Sequence, residues 1–64
     1  MDKVTLKMQQ EVVNISQERL GKKLPEVIVK KIETKYLSYV GLEMIIDSVT
    51  SLEIEKLEKY LNDI

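Results

Sequence analysis

Apolar and polar positions alternate at helical spacing in every segment of this chain. Gly21, Pro25 and Gly41 are the strong punctuators and divide it into three segments. In residues 2–20, Val4, Met8, Val12 and Ile15 follow one another at spacings of four, four and three, which puts them on one helical face. Val13 and Leu20 widen that stripe. Gly21 is suited to the left-handed C′ position that ends a helix. Ser16 is also a reasonable N-cap, so the segment reads as one long helix or as two shorter ones.

The second segment, Leu24 to Val40, opens with Pro25, whose missing N–H is no loss in a first helical turn, and Glu26, which suits the positive end of the helix dipole. Val29, Ile32, Tyr36 and Val40 form its stripe, with Ile28 and Tyr39 beside it. Glu26 and Lys30 form an i,i+4 pair in the favourable order. The β-branched run Val27-Ile28-Val29 would also suit a strand. In the third segment Leu42, Ile45, Ile46 and Val49 are helically spaced, and the phase then slips. Thr50 followed by Glu53 has the form of a capping box. A break at Thr50 or Ser51 leads to a last stripe of Ile54, Leu57, Leu61 and Ile64, with Glu55 and Lys59 as a second i,i+4 pair. The expectation is an all-α fold, a small bundle of three or four short helices in one domain over residues 1–64.

Length changes what such a bundle can do. A chain of 64 residues buries only about 60% of the surface its unfolded form exposes, so its stability is a few kcal/mol at most. It has no cysteine, hence no disulfide and no thiolate metal site. Oligomerisation or partner binding is the remaining support.

The same composition argues against an enzyme. Without histidine the commonest metal ligand and general base is missing, and neither a Ser-His-Asp nor a Cys-His set can be assembled. Two glycines cannot build a glycine-rich phosphate loop. The paired carboxylates, Glu53 with Glu55 and Asp47 with Glu43, lie in an acidic stretch expected to face water, whereas acid–base catalysis needs a shielded pocket. No cofactor and no metal are expected. The longest apolar runs, Val27 to Val29 and Met44 to Ile46, are far below the roughly 18 residues of a membrane span. Asp2 and the lack of an apolar N-terminal run give no sign of a leader, so a cytoplasmic location is the default.

Charge is unevenly placed although the net value is −1. Between Arg19 and Lys35 six cations face two glutamates; from Tyr36 onward two lysines face six acids. A basic centre and an acidic end could attract each other, align two copies, or present a basic face to an acidic partner.

Two surfaces are therefore candidates for function. The last stripe has the a/d spacing of a coiled-coil seam and is either one wall of the core or a docking face. As a docking face its residues are Ile54, Leu57, Leu61 and Ile64, with Tyr60 beside them. The basic centre offers Lys22, Lys23, Lys30, Lys31 and Lys35 to a nucleic acid or an acidic protein, with Tyr36 and Tyr39 near enough in sequence for a stacking role. The partner is expected to be another protein or a second copy of the chain, with nucleic acid as the alternative.

Two local stretches are similar to known families. Asn14-Ile15-Ser16-Gln17-Glu18-Arg19-Leu20-Gly21-Lys22-Lys23-Leu24 resembles the entry to the helix-turn-helix of phage-repressor-like (Cro/C1-type) regulators, and Ile32-Glu33 resembles the pair that ends their recognition helix. The chain departs from that pattern at Pro25, where the family turn has glycine, and is two residues short before Ile32. The resemblance implies a turn at Asn14, and residues from Glu26 to Lys31 facing the DNA major groove. Asp47-Ser48-Val49-Thr50-Ser51-Leu52-Glu53 resembles the phosphopantetheine attachment motif of acyl and peptidyl carrier proteins, without the glycine that precedes their aspartate. That resemblance implies a prosthetic arm on Ser48 at a helix start. Taken together, the sequence reads best as a small non-enzymatic interaction protein, a regulator or inhibitor acting through an amphipathic helix face.

Overall fold

The first expected stripe folds as one uninterrupted helix, α1 (Lys3–Leu20), followed by α2 (Glu26–Lys35), α3 (Tyr39–Ser51) and α4 (Ile54–Asn62). These elements are seen in a computed structural model that describes residues 3–64; Asp2, where the first segment begins, lies outside the described residues. The described residues form an all-α bundle of four helices with no strand, so Val27-Ile28-Val29 is helical. At roughly 27 Å for its eighteen residues, α1 is nearly as long as the 31 Å longest dimension of the bundle.

Gly21 ends α1 as its spacing predicts. It adopts φ +69°, and its N–H donates to the Gln17 carbonyl at 2.9 Å. Pro25 stands just outside α2, where its carbonyl accepts from the N–H of Ile28 and Val29.

The next boundary departs from the sequence reading. The second segment does not continue to Val40: α2 stops at Lys35, and Ser38 caps a new helix by accepting from the Gly41 N–H at 3.2 Å. Gly41 lies inside the first turn of α3 and separates nothing. A Cβ there would sit 3.0 Å from the capping Ser38 hydroxyl, so glycine leaves room for the cap.

What allows α2 to stop at Tyr36 comes from α1. Gln9 Nε2 donates to the Glu33 and Tyr36 carbonyls at 3.2 and 2.7 Å. Terminal helix carbonyls have no partner within their own helix, and here a side chain more than twenty residues away supplies one.

The end of α3 is closed in the same way. Arg19 donates to the Val49 carbonyl at 3.0 Å and to the Leu52 carbonyl. A cation at a helix C-terminus also opposes the negative end of the helix dipole. The expected capping box does not form. Thr50 is still helical, its hydroxyl donates back to the Ile46 carbonyl, and Glu53 precedes α4 without a side-chain cap. The break is real but lies at Leu52–Glu53.

Gln9 reaches the residues just before α3 and Arg19 reaches its last turn, so α1 and α3 lie side by side and run the same way. They are the principal helix pair. The core holds Val12 and Val13 of α1, Leu24, Ile28 and Ile32, Leu42, Ile45 and Val49 of α3, and Leu57 and Leu61 of α4.

The buried face of α1 is rotated from the expected one. Thr5, Gln9, Val12, Val13 and Ser16 are inside, Met8 and Ile15 are half-buried, and Val4 is half-exposed. Gln9 and Ser16 can occupy that line because each has an internal partner. Gln9 bonds the end of α2, and the fully buried Ser16 turns its hydroxyl onto the Val12 carbonyl at 2.7 Å.

Candidate interaction surface

The stripe expected to dock a partner divides between core and surface. Leu57 and Leu61 are 0% and 1% exposed and belong to the chain's own core, which corrects their assignment to an interface. Tyr60 and Ile64 are half-buried against that core, and only Ile54 projects into water. The a/d spacing thus serves folding: a short α4 with two leucines on one line is what a small core needs to close its last side.

The basic centre also divides. Arg19 is spent on closing α3. Lys22 faces Glu58 at 3.7 Å in an exposed pair that links the α1–α2 loop to α4; such a pair contributes little, about 0–1 kcal/mol. Lys35 Nζ lies 3.5 Å from the Ile64 carbonyl. Lys23, Lys30 and Lys31 are exposed and outside any such contact. The i,i+4 pairs Glu26/Lys30 and Glu55/Lys59 do not close to ion-pair distance.

The two resemblances do not extend to local geometry. The helix-turn-helix pattern needs a turn at Asn14-Ile15, and those residues lie mid-helix in α1. The carrier motif needs its serine at a helix start, whereas Ser48 lies well inside α3 and donates to the Met44 carbonyl at 3.1 Å.

The surface that sequence reasoning missed is the outward side of α3. Val40 and Met44, one turn apart, are 66% and 68% exposed, the highest among the exposed large apolar side chains of the described residues. Glu43 and Asp47 flank them on the same side, and a shallow open depression lies over these four residues and Thr50. Placing Val40 in the preceding helix hid this face. Once Ser38 is recognised as the cap, the spacing Val40, Glu43, Met44, Asp47 (i, i+3, i+4, i+7) exposes it. No lysine or arginine occurs between Lys35 and Lys56, so its rim is acidic only.

A second depression, about 150 Å³, lies between the α1–α2 loop and α4, floored by Leu24, Ile28 and Leu61. It is smaller than the roughly 300–1,000 Å³ of ordinary ligand pockets. Among the described residues every buried side-chain nitrogen or oxygen has a hydrogen-bond partner, and no group of three or more acidic side chains is placed to hold a metal ion. Among the described residues no helix is long and apolar enough to cross a membrane.

The Tyr36 phenol, at the C-terminal end of α2, is held above its ordinary pKa by burial first and by the neighbouring Tyr60 hydroxyl second. Tyr60 belongs to α4, so the two phenols lie where α4 meets the end of α2. The chain matches no family model, and no curated protein or solved structure is significantly similar to it.

Proposed function

We propose that this is a cytoplasmic, non-enzymatic regulator that acts by binding a protein, and that the docking face is the outward side of α3 rather than α4. The observation that carries this reading is the exposure of Val40 and Met44 together on one helix face with an acidic rim. Isolated exposed apolar residues are ordinary, whereas grouped ones rimmed by polar groups mark interaction sites. Covering each would contribute about 1.5–3 kcal/mol of transfer free energy. The unbranched thioether of Met44 adapts to the shape it meets. The mechanism is occlusion or bridging, with an apolar centre giving affinity and charged edges setting orientation.

The test is photo-cross-linking in cells from position 44, with the same cross-linker at Glu11 on the exposed side of α1 as control. A defined protein adduct from position 44 and none from position 11 is the expected result. Equal, diffuse labelling from both would remove α3 as a docking face.

A further inference from the structure

Resting on the reading of α3 as the docking face, we infer that its occupant is the α2 helix of a second copy of this chain. The outward side of α2 carries Val27, Lys30, Lys31 and Thr34, at the same i, i+3, i+4, i+7 spacing as Val40, Glu43, Met44 and Asp47 on α3. All eight are exposed, Val27 at 60%. One stripe is basic around a valine and the other acidic around a valine and a methionine. They match in length and are opposite in charge.

The two stripes cannot meet within one copy. Each lies on the side of its helix opposite the core, since Ile28 and Ile32 of α2 and Leu42, Ile45 and Val49 of α3 point inward. None of Lys30, Lys31, Glu43 and Asp47 has an ion-pair partner within 4 Å among the described residues. Glu43 and Asp47 are moreover like charges at i,i+4, a spacing that disfavours a helix, and among the described residues no cation lies within ion-pair distance to relieve it. A second copy does so.

A two-fold axis makes the contact reciprocal. α2 of each copy lies on α3 of the other, the contact forms twice, and the assembly closes instead of growing into a chain. The pairing also gives a chain of this size the extra burial that its own core lacks.

The experiment is the solution mass by size-exclusion chromatography with light scattering, on the whole chain over a range of concentrations at low and high salt. The expected result is a dimer at low salt that weakens as the Debye length falls from about 10 Å at 0.1 M to about 3 Å at 1 M. The double variants Lys30→Glu/Lys31→Glu and Glu43→Lys/Asp47→Lys should each weaken dimerisation by at least about a hundredfold through like-charge contact. Mixed in equal amounts they should recover the dimer, because each then meets its opposite.

Folding of each variant is checked by circular dichroism. If either unfolds, single cysteines decide, since the chain has none of its own. On oxidation, a mixture of Val27→Cys and Met44→Cys should give mainly the mixed disulfide, and a Met44→Cys homodimer in its place would overturn the α2–α3 pairing. A wild-type chain that stays monomeric at low salt would also overturn the inference, yet would leave the docking reading intact if position 44 still cross-linked to another protein. A dimer indifferent to every change on α3 would overturn the pairing, and the docking reading falls with it if position 44 also gives no adduct.

Discussion

Gln9 Nε2 donates to the Tyr36 carbonyl at 2.7 Å, so a glutamine in the first helix closes the end of the second. The same nitrogen reaches the Glu33 carbonyl at 3.2 Å. Gln9 is 3% exposed, and a carbonyl left without a partner in that setting costs about 1–3 kcal/mol. Gln9→Met keeps the volume and removes the donor. It should lower stability by about that amount, a large share of a total of a few kcal/mol, and show as an earlier midpoint in urea unfolding. An unchanged midpoint would mean that α2 can end without Gln9.

Ser16 is as buried as any residue in the chain, yet its replacement should be mild. Its hydroxyl donates to the Val12 carbonyl of its own helix, a bond the helix does not need and that slightly disfavours it. Ser16→Ala leaves no donor or acceptor stranded. Thermal unfolding should shift little or upward, by about 0.5 kcal/mol or less. The contrast with Gln9 is informative because both are polar residues on the buried face of α1: one bridges two elements and the other does not.

Arg19 closes α3 through the Val49 and Leu52 carbonyls. Bonds to a charged donor contribute about 1.5–3 kcal/mol, and the helix dipole adds a few tenths. Arg19→Met should therefore destabilise the chain by about 1.5–3 kcal/mol. It should also speed hydrogen exchange in the last turn of α3 more than at its start. Uniform exchange along α3 would show that the cap is dispensable.

On α4 the sequence pattern treats Ile54 and Leu57 alike, and the fold does not. Leu57 is 0% exposed and Ile54 45%. Leu57→Ala should cost about 2–5 kcal/mol, enough to unfold most of the population at 25 °C, whereas Ile54→Ala should cost under about 1 kcal/mol. Circular dichroism of the two variants separates them. Similar losses would mean that α4 is held differently.

Alkaline pH should loosen the junction of α2 and α4. The raised pKa of Tyr36 means that the unfolded phenol ionises first, near pH 10. The stability this group contributes is complete below that pH and is lost as pH rises through the folded value. Unfolding midpoints should fall above about pH 10 and not below it. Tyr60→Phe removes the second cause of the shift, so tyrosinate absorbance should then rise at lower pH. If the absorbance curve is unmoved, Tyr36 and Tyr60 are not coupled.

The sequence by itself determined the helical class, the end of α1 at Gly21, the start of α2 to within a residue at Pro25 and the inward residues Leu42, Ile45 and Val49. Each of these follows from interactions within a few residues: backbone freedom at glycine, the missing N–H of proline, and a period of 3.6 against one apolar surface. Only the tertiary structure decided where α2 and α3 stop, because their closing groups, Gln9 and Arg19, come from α1, 24 to 33 residues away in sequence. It also decided that the spacing of Leu57 and Leu61 is spent inside and that of Val40 and Met44 outside. Periodicity identifies a face but not what covers it, and that depends on which helices the chain brings alongside.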